Sequence, residues 1–436
     1  MKRRPGNTMK QNAAVHICLL GLVATGFAAE PLPLTLKQAQ ELARQKHPRI
    51  TAAELKALAA KQVTTQVRSA FFPNLTANLT AVGTTSGNTR IAAGALNNPA
   101  IFERFASGLN ISQLITDFGR TANLAESTKL RARAEGKNTE ATRGQILFQV
   151  NTAYFTALEA QAVVAVARQT IVTRQTLLDQ VQALANNQLK SELDVSFARV
   201  SLEEGKLLLV KADNDLNSAF ETLAALLGFS QQPAFRLGEE PMPPSLPADT
   251  AGLVSLALQS RPELARLRLE RDAAVKFASA EKGLNNPTLS AIGSVGHLPI
   301  RDRRFDENYA AAGVNLSFPL FNGNLFTARR KEAELRAQAL ANQLRDEENN
   351  VVRDVRIARL KVDYSLERLQ LTAQLLEHSL KAFDLAQARY QAGASSIVEL
   401  SQALLNKTTA EIAQTDAKYE LHLQRSVLDY QTGVLK

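Results

Sequence analysis

Alternating apolar and polar side chains mark four short segments of the chain. From Leu75 to Ala81 every second residue is apolar, and the residues between them are Thr or Asn. This period of two predicts a strand over about 74–82 with one apolar and one polar face. The same kind of pattern predicts further strands over about 105–116, 288–296 and 310–319. Such segments fit tilted strands of a membrane barrel, but a half-buried hairpin in a soluble domain would show the same alternation.

Aromatic residues at both ends of these segments favour the membrane interpretation. Rings at the two membrane–water interfaces are typical of transmembrane barrels. One end has Phe71, Phe72, Phe118, Phe318, Phe321 and Phe326, and the other has Phe102, Phe105, Phe305 and Tyr309.

Long stretches with a helical period follow the strands. No proline lies between Pro99 and Pro233 or after Pro319, and a proline inside a helix costs about 3 kcal/mol. From Val351 to Phe383 apolar residues recur every three or four positions, which is typical of a coiled-coil seam. A helix of roughly 65 residues is about 100 Å long. We therefore predict one long antiparallel helical hairpin in each half, over about 119–228 and 324–433.

The chain is predicted to contain an internal duplication. Pro48 and Pro262 are separated by the same number of residues as Pro73 and Pro287. Further along, a second constant offset pairs Ser191 with Ser396, Asp194 with Glu399 and Gly228 with Gly433. A sustained self-match of this kind indicates two structural repeats. The predicted segments are the first repeat, 30–228, a proline-rich linker, 229–247, and the second repeat, 248–436.

Residues 1–29 are predicted to be a secretory signal peptide. A basic start at residues 2–4 precedes an apolar stretch that is too short to span a bilayer. Translation from Met1 or from Met9 would have the same outcome, and an uncleaved anchor is the alternative. The only cysteine, Cys18, lies in this segment, so the mature chain would have no disulfide and no thiolate chemistry.

Composition and motifs argue against catalysis and against nucleic-acid binding. The net charge of +9 would fall to +5 without the signal peptide, which is too small to indicate a nucleic-acid partner. The five histidines are scattered, and no phosphate loop, nucleophile elbow or metal-ligand spacing is present. We expect no enzyme, no catalytic residue, no cofactor and no metal site.

Four strands per chain cannot close a barrel, because the smallest membrane barrels have eight. Open strand edges in lipid would leave backbone groups unpaired, at several kcal/mol each. A homotrimer would supply twelve strands to one shared barrel. A dimer would supply eight, but side chains fill the interior of such a barrel. The charged helices would extend into an aqueous compartment such as the periplasm.

Several short motifs are specific when they are taken together. Ser-Gln at 112–113 leads to Asp-Phe-Gly-Arg at 117–120, and residues 317–323 read Ser-Phe-Pro-Leu-Phe-Asn-Gly. Residues 389–393 read Arg-Tyr-Gln-Ala-Gly, and residues 34–36 read Leu-Thr-Leu. Over essentially the whole mature length, these segments resemble the strand-to-helix turns, the periplasmic helix turn and the opening helix of TolC-family outer membrane efflux proteins.

The resemblance implies a mainly α fold with a membrane β-barrel. Each of two repeats would contain a helix, two strands and a long helical hairpin. A homotrimer would form a 12-stranded barrel in outer-membrane lipid and an α-helical barrel in the periplasm. It would be the outer-membrane channel of a tripartite efflux or type I secretion system, receiving substrates from a periplasmic adaptor and an inner-membrane pump. The alternative is a soluble periplasmic coiled-coil adaptor or scaffold protein.

The resemblance also implies two sets of functional residues at the helix turns. Asp194, Tyr390 and Glu399 match a periplasmic gate, so Tyr390→Phe and Asp194→Ala are expected to raise the resting conductance. The residues that match adaptor docking at the turns are Leu189, Ser191, Gly393 and Ser396. The departures from the family pattern are Gln188 for the usual turn glycine, Ser395 where TolC has an arginine, and Gln402 where TolC has an acidic residue.

Overall fold

The computed structural model describes residues 32–83, 88–90, 100–230, 235–244, 249–301 and 306–435. The predicted signal peptide, 1–29, and parts of the predicted linker, 229–247, lie outside these ranges.

The first part of the chain runs from a short strand through two helices and a strand pair into a long helical hairpin. A capping box starts the first helix, since Thr35 and Gln38 bond each other's backbone N–H groups. Its elements are β1 (Leu32–Leu34), α1 (Leu36–Lys46), α2 (Pro48–Arg68), β2 (Asn74–Val82), β3 (Asn88–Arg90), β4 (Ala100–Phe102), β5 (Arg104–Thr116), α3 (Arg120–Asn186) and α4 (Glu192–Leu226).

The second part repeats this order. Pro262 occupies the first turn of its second helix, as Pro48 does in α2, because that position needs no backbone N–H. Its elements are β6 (Phe235–Leu237), α5 (Thr250–Ser260), α6 (Pro262–Lys282), β7 (Thr288–Ile300), β8 (Asn308–Ser317), α7 (Leu325–Gln391) and α8 (Ile397–Gln431).

One antiparallel sheet joins the two strand pairs in the order β2-β5-β7-β8. The central pairing, β5 with β7, connects the first half of the chain to the second. Within the part of the chain that the structure describes, β2 and β8 each have one edge without a strand partner. Apolar side chains on both strands are exposed, among them Leu75, Leu79, Val314 and Leu316.

The second strand pair differs in its bounds from the sequence prediction. β7 continues to Ile300, beyond the predicted end at 296, and β8 begins at Asn308 and ends at Ser317, before the predicted end at 319. The N–H of Leu298 donates to the Glu307 carbonyl at 2.7 Å, so the ladder extends further toward the loop. Pro319 has no N–H to offer a ladder, which disfavours continuing the strand to that residue.

A short strand lies inside the predicted linker. β6 pairs in parallel with β1, and the Tyr154 hydroxyl of α3 is 2.9 Å from the Leu34 carbonyl and 2.7 Å from the Gly238 carbonyl. The Tyr419 hydroxyl of α8 donates to Glu239 at 2.7 Å. The connection between the halves is therefore tied to both helical hairpins, near the middle of the long helices.

The long helices pack side by side in pairs. α3 packs against α4 and α6, α7 packs against α8 and α6, and α3 also contacts α8 across the two halves. The core near β1 and β6 is formed by large buried side chains such as Tyr154, Ile146 and Leu158. Among the described residues, no helix has the length and apolar character needed to cross a membrane.

Candidate functional site: the two helix turns

The two helical hairpins end in turns with the same backbone conformation. Turn 1 joins α3 to α4 over residues 187–191, and turn 2 joins α7 to α8 over residues 392–396. Gln188 in turn 1 has φ 61°, and Gly393 in turn 2 has φ 73°. This left-handed conformation lets the following N–H reach back to a helix carbonyl. Leu189 N–H bonds the Leu184 carbonyl at 2.9 Å, and Ala394 N–H bonds the Arg389 carbonyl at 2.8 Å.

A serine caps the helix that follows each turn. The Ser191 hydroxyl accepts the Asp194 N–H at 3.2 Å, and the Ser396 hydroxyl accepts the Glu399 N–H at 3.3 Å. Serine at this position satisfies a backbone donor that the helix cannot pair itself. The two acidic residues thereby occupy the same place in the first turn of α4 and α8, where the helix dipole favours negative charge.

The Asp194 carboxylate is held within its own turn. Its Oδ2 accepts the Ser191 N–H at 3.0 Å and the Ser191 hydroxyl at 2.8 Å, which completes a capping box. These hydrogen bonds, with the nearby charge of Lys190, hold the pKa of Asp194 below its usual value.

Tyr390 lies in the core beneath both turns, and its side chain is only 3% exposed. Among the described residues, its hydroxyl has no hydrogen-bond partner. Burial, reinforced by the charge of Asp194, raises the pKa of Tyr390. The ring has a charged neighbour, because Lys190 Nζ lies 4.1 Å from the ring centroid. Within the described part of the chain there is therefore no hydroxyl hydrogen bond for Tyr390→Phe to remove.

Glu399 has a partner within its own hairpin. Its Oε1 lies 3.7 Å from Arg389 Nη1, and both side chains are exposed. The structure thus brings Tyr390 near Asp194 and Lys190, whereas Glu399 is paired on the surface of the second hairpin.

The four residues that match adaptor docking lie at the ends of the hairpins. Leu189 is 68% exposed although it is apolar. Ser191 and Ser396 are the capping residues, and a Cβ added at Gly393 would meet nothing within 4 Å. The surface around the turns therefore has room for a partner.

One apolar cluster lies beneath both turns and packs the two hairpins against each other. Its buried members come from all four long helices and are Leu177, Val181, Val195, Ala198, Phe383, Ala386, Tyr390, Ile397, Leu400, Ala403 and Leu404. Because the cluster is shared, a movement of one turn disturbs the packing of the other.

Sequence reasoning did not find Lys190. A lysine just before a helix cap is ordinarily a solvated side chain, and the ring that it contacts lies in the other hairpin. The clue available was the self-match, which sets Lys190 opposite Ser395 and marks a position where the two turns differ in charge. Within the described ranges, no group of three or more His, Cys, Asp or Glu residues is placed to hold a metal ion.

Two strand pairs that lead directly into long helical hairpins are the defining feature of this fold. The chain belongs to the outer membrane efflux protein family, whose model matches residues 39–229 and 253–433. The resemblance to the TolC family is thereby confirmed.

Individual relatives agree with this assignment. The chain is 24% identical to the outer membrane protein TolC of Salmonella enteritidis, over 96% of this chain and 85% of that protein. It is 28% identical to the cobalt-zinc-cadmium resistance protein CzcC of Cupriavidus metallidurans, over 85% of this chain and 83% of that protein.

Solved structures show the same fold. CusC superposes with a TM-score of 0.81 at 19% identity, over 91% of this chain and 92% of that chain. The outer-membrane channel OprN superposes with a TM-score of 0.78 at 20% identity, over 91% of this chain and 89% of that chain. The predicted TolC-like fold and outer-membrane efflux function are confirmed, with the helical part in the periplasm. The soluble adaptor is not favoured.

Proposed function

We propose that three copies of this chain form one channel, which passively carries substrates from the periplasm to the outside. The observation that carries the proposal is the four-stranded sheet in which, among the described residues, β2 and β8 each have one edge without a strand partner. In lipid, each unpaired backbone group at such an edge costs several kcal/mol. Pairing β8 of one copy with β2 of the next removes both edges, and three copies supply twelve strands.

The helices support the same assembly. α4 and α7 carry exposed apolar side chains at spacings of three, four and seven, although each helix buries its opposite face within the chain. Such stripes are typical of helix seams that have a partner. On α4 they are Leu193, Phe197, Val200, Leu207 and Val210, and on α7 they are Ile357, Leu360, Tyr364, Leu371 and Leu375.

A periplasmic adaptor and an inner-membrane pump complete the proposed pathway. The adaptor docks at the helix turns, where exposed Leu189 and the open surface at Gly393 lie beside Ser191 and Ser396. The pump supplies the energy and selects the cargo, and this chain provides the duct without a catalytic step. The segments 30–228 and 248–436 are the two copies of a duplicated unit in this proposal.

The same turns form the proposed gate. Three copies bring three Asp194 and three Glu399 side chains around one axis, where carboxylates attract cations and repel anions. Tyr390 lies beneath them in the shared cluster, so opening of the gate requires the two hairpins to separate around this ring.

Extraction from isolated outer membranes and cross-linking test the assembly. We expect that salt leaves the protein in the membrane, that detergent releases it, and that the cross-linked ladder ends at three copies. Release of a monomer or a dimer by salt alone would overturn the proposal.

A further inference from the structure

Lys190 is the charged residue of turn 1 that reaches the other hairpin. It lies two residues after the left-handed Gln188 and directly before the cap Ser191. Its ammonium group does not follow the chain into α4 but lies over Tyr390, close to the end of α7. The ring–nitrogen distance of 4.1 Å is well inside the range in which a cation is attracted to an aromatic face.

We infer that Lys190 is a positioning residue of the gate, which holds turn 1 against turn 2 through the face of the Tyr390 ring. This inference rests on the channel and gate proposed above. It assigns the closing contact to a lysine and an aromatic ring, and it gives the tyrosine hydroxyl no part in that contact.

The surroundings of the ring support this assignment. The Tyr390 hydroxyl has no hydrogen-bond partner among the described residues, and the Asp194 carboxylate is occupied by Ser191. Lys190 is half-buried, so its attraction to the ring is less weakened by water than it would be at an exposed site. Asp194 stands in the first turn of α4, and its negative charge interacts favourably with that of Lys190.

Among the residues that the structure describes, the second turn has no counterpart of this contact. The self-match sets Ser395 opposite Lys190 and Ala185 opposite Tyr390. Neither residue can make a cation–ring contact. The contact is therefore made once in each chain, by the lysine of turn 1 and the ring at the end of α7. A channel of three copies would contain three such links.

Single-channel recording of purified protein in planar bilayers tests the inference. Lys190→Met keeps the length of the side chain but removes its charge, and we expect it to raise the open probability about fivefold or more. Lys190→Arg and Tyr390→Phe keep a cation and a ring, so both should stay close to the wild type. For Tyr390→Phe this replaces the expectation of a raised conductance that the family resemblance implies, because the hydroxyl has no hydrogen-bond partner among the described residues. Tyr390→Leu should open the channel as Lys190→Met does, and the double variant should add little to either single variant.

Controls separate this inference from the channel proposal. Lys211→Met removes an exposed lysine of α4 away from both turns and should leave the open probability unchanged. Trimer formation and melting temperature of each variant establish that it folds. Wild-type behaviour of Lys190→Met, or opening by Tyr390→Phe as strong as by Lys190→Met, would overturn the inference. A wild-type protein that forms trimers but never conducts would instead overturn the proposed function.

Discussion

Turn 1 and turn 2 have nearly the same backbone and very different side-chain contacts. In both, a left-handed residue ends one helix and a serine starts the next. In turn 1 the acidic residue Asp194 is bound by Ser191, and Lys190 reaches the opposite hairpin. In turn 2 the acidic residue Glu399 pairs with Arg389 of its own hairpin.

This difference shows which features a repeated structure must keep. The backbone of each turn is required to reverse a long helix, so glycine or a residue that tolerates φ near +60° is needed in both. The charged side chains are not required for that reversal. They can therefore take different roles in the two turns. The side chain that contacts the other hairpin, Lys190, belongs to turn 1.

The largest effect is expected from Leu400→Ala, in the cluster that both turns share. Leu400 is 0% exposed, and truncating a fully buried leucine costs about 2–5 kcal/mol. Hydrogen exchange should show that the ends of both hairpins open more readily, because the cluster includes side chains of all four long helices. Val398→Ala changes an exposed neighbour and serves as the control. Faster exchange confined to turn 2 would contradict a shared core.

The two capping serines should contribute different amounts to the stability of the turns. Ser191→Ala removes the hydroxyl that caps α4 and that donates to the Asp194 carboxylate, and it keeps the backbone N–H bond to this carboxylate. We expect a loss of about 1–2 kcal/mol, against about 0.5–1 kcal/mol for Ser396→Ala. Local opening free energies from hydrogen exchange measure both losses. Equal losses would show that the hydroxyl bond to the Asp194 carboxylate adds nothing.

The stability of turn 1 should depend on pH through Asp194. The pKa of Asp194 is lowered in the folded chain, so its contribution is present above the unfolded pKa of about 4 and disappears as the pH falls through the folded value. Turn 1 should therefore weaken below about pH 4 in the wild type. The Ser191→Ala variant should lose only part of this dependence, because the alanine N–H still donates to the Asp194 carboxylate.

Substituting the left-handed residue should destabilise turn 2 and stabilise turn 1. Gly393→Ala places a Cβ in open space at φ 73°, so the cost of about 1 kcal/mol is purely conformational. Gln188→Gly should stabilise turn 1 by up to about 1 kcal/mol, because glycine adopts φ 61° without strain. Limited proteolysis at each turn measures both changes in stability. Destabilisation by both variants would mean that the Gln188 side chain has a role of its own.

The smallest effect is expected from Glu399→Gln. Its ion pair with Arg389 spans 3.7 Å between two exposed side chains, and such pairs contribute about 0–1 kcal/mol. The loss should be near the lower end of this range and should vanish in high salt. A salt-insensitive loss above about 1 kcal/mol would show that Glu399 has a further partner, such as a neighbouring copy.

The sequence patterns predict the long elements of this fold well. Alternation around Leu75 indicates a strand because one face meets an apolar environment, and the spacing from Val351 indicates a helix because one face is buried. β6 could not be found in the same way. Three residues are too few to show a period, and this strand forms only because β1 lies beside it.

The proposed gate residues come from the family resemblance, which does not predict their contacts. Lys190 and Tyr390 are far apart in the chain, so no local pattern indicates that this lysine lies over the tyrosine ring. The resemblance drew attention to the tyrosine hydroxyl, although the structure places a cation against the ring. Such contacts depend on how two hairpins pack, which local periodicity does not encode.

The central claim is that the helix turns close a channel. Thiol labelling at the turns during single-channel recording tests this claim most directly. The mature chain is predicted to be cysteine-free, so Glu399→Cys would carry the only thiol. Exposed Leu189→Cys, on the proposed docking surface, is the matched control. A bulky anionic thiol reagent added on the periplasmic side should reduce the single-channel current of Glu399→Cys and leave that of Leu189→Cys unchanged. An unchanged current in fully labelled Glu399→Cys channels would contradict the account.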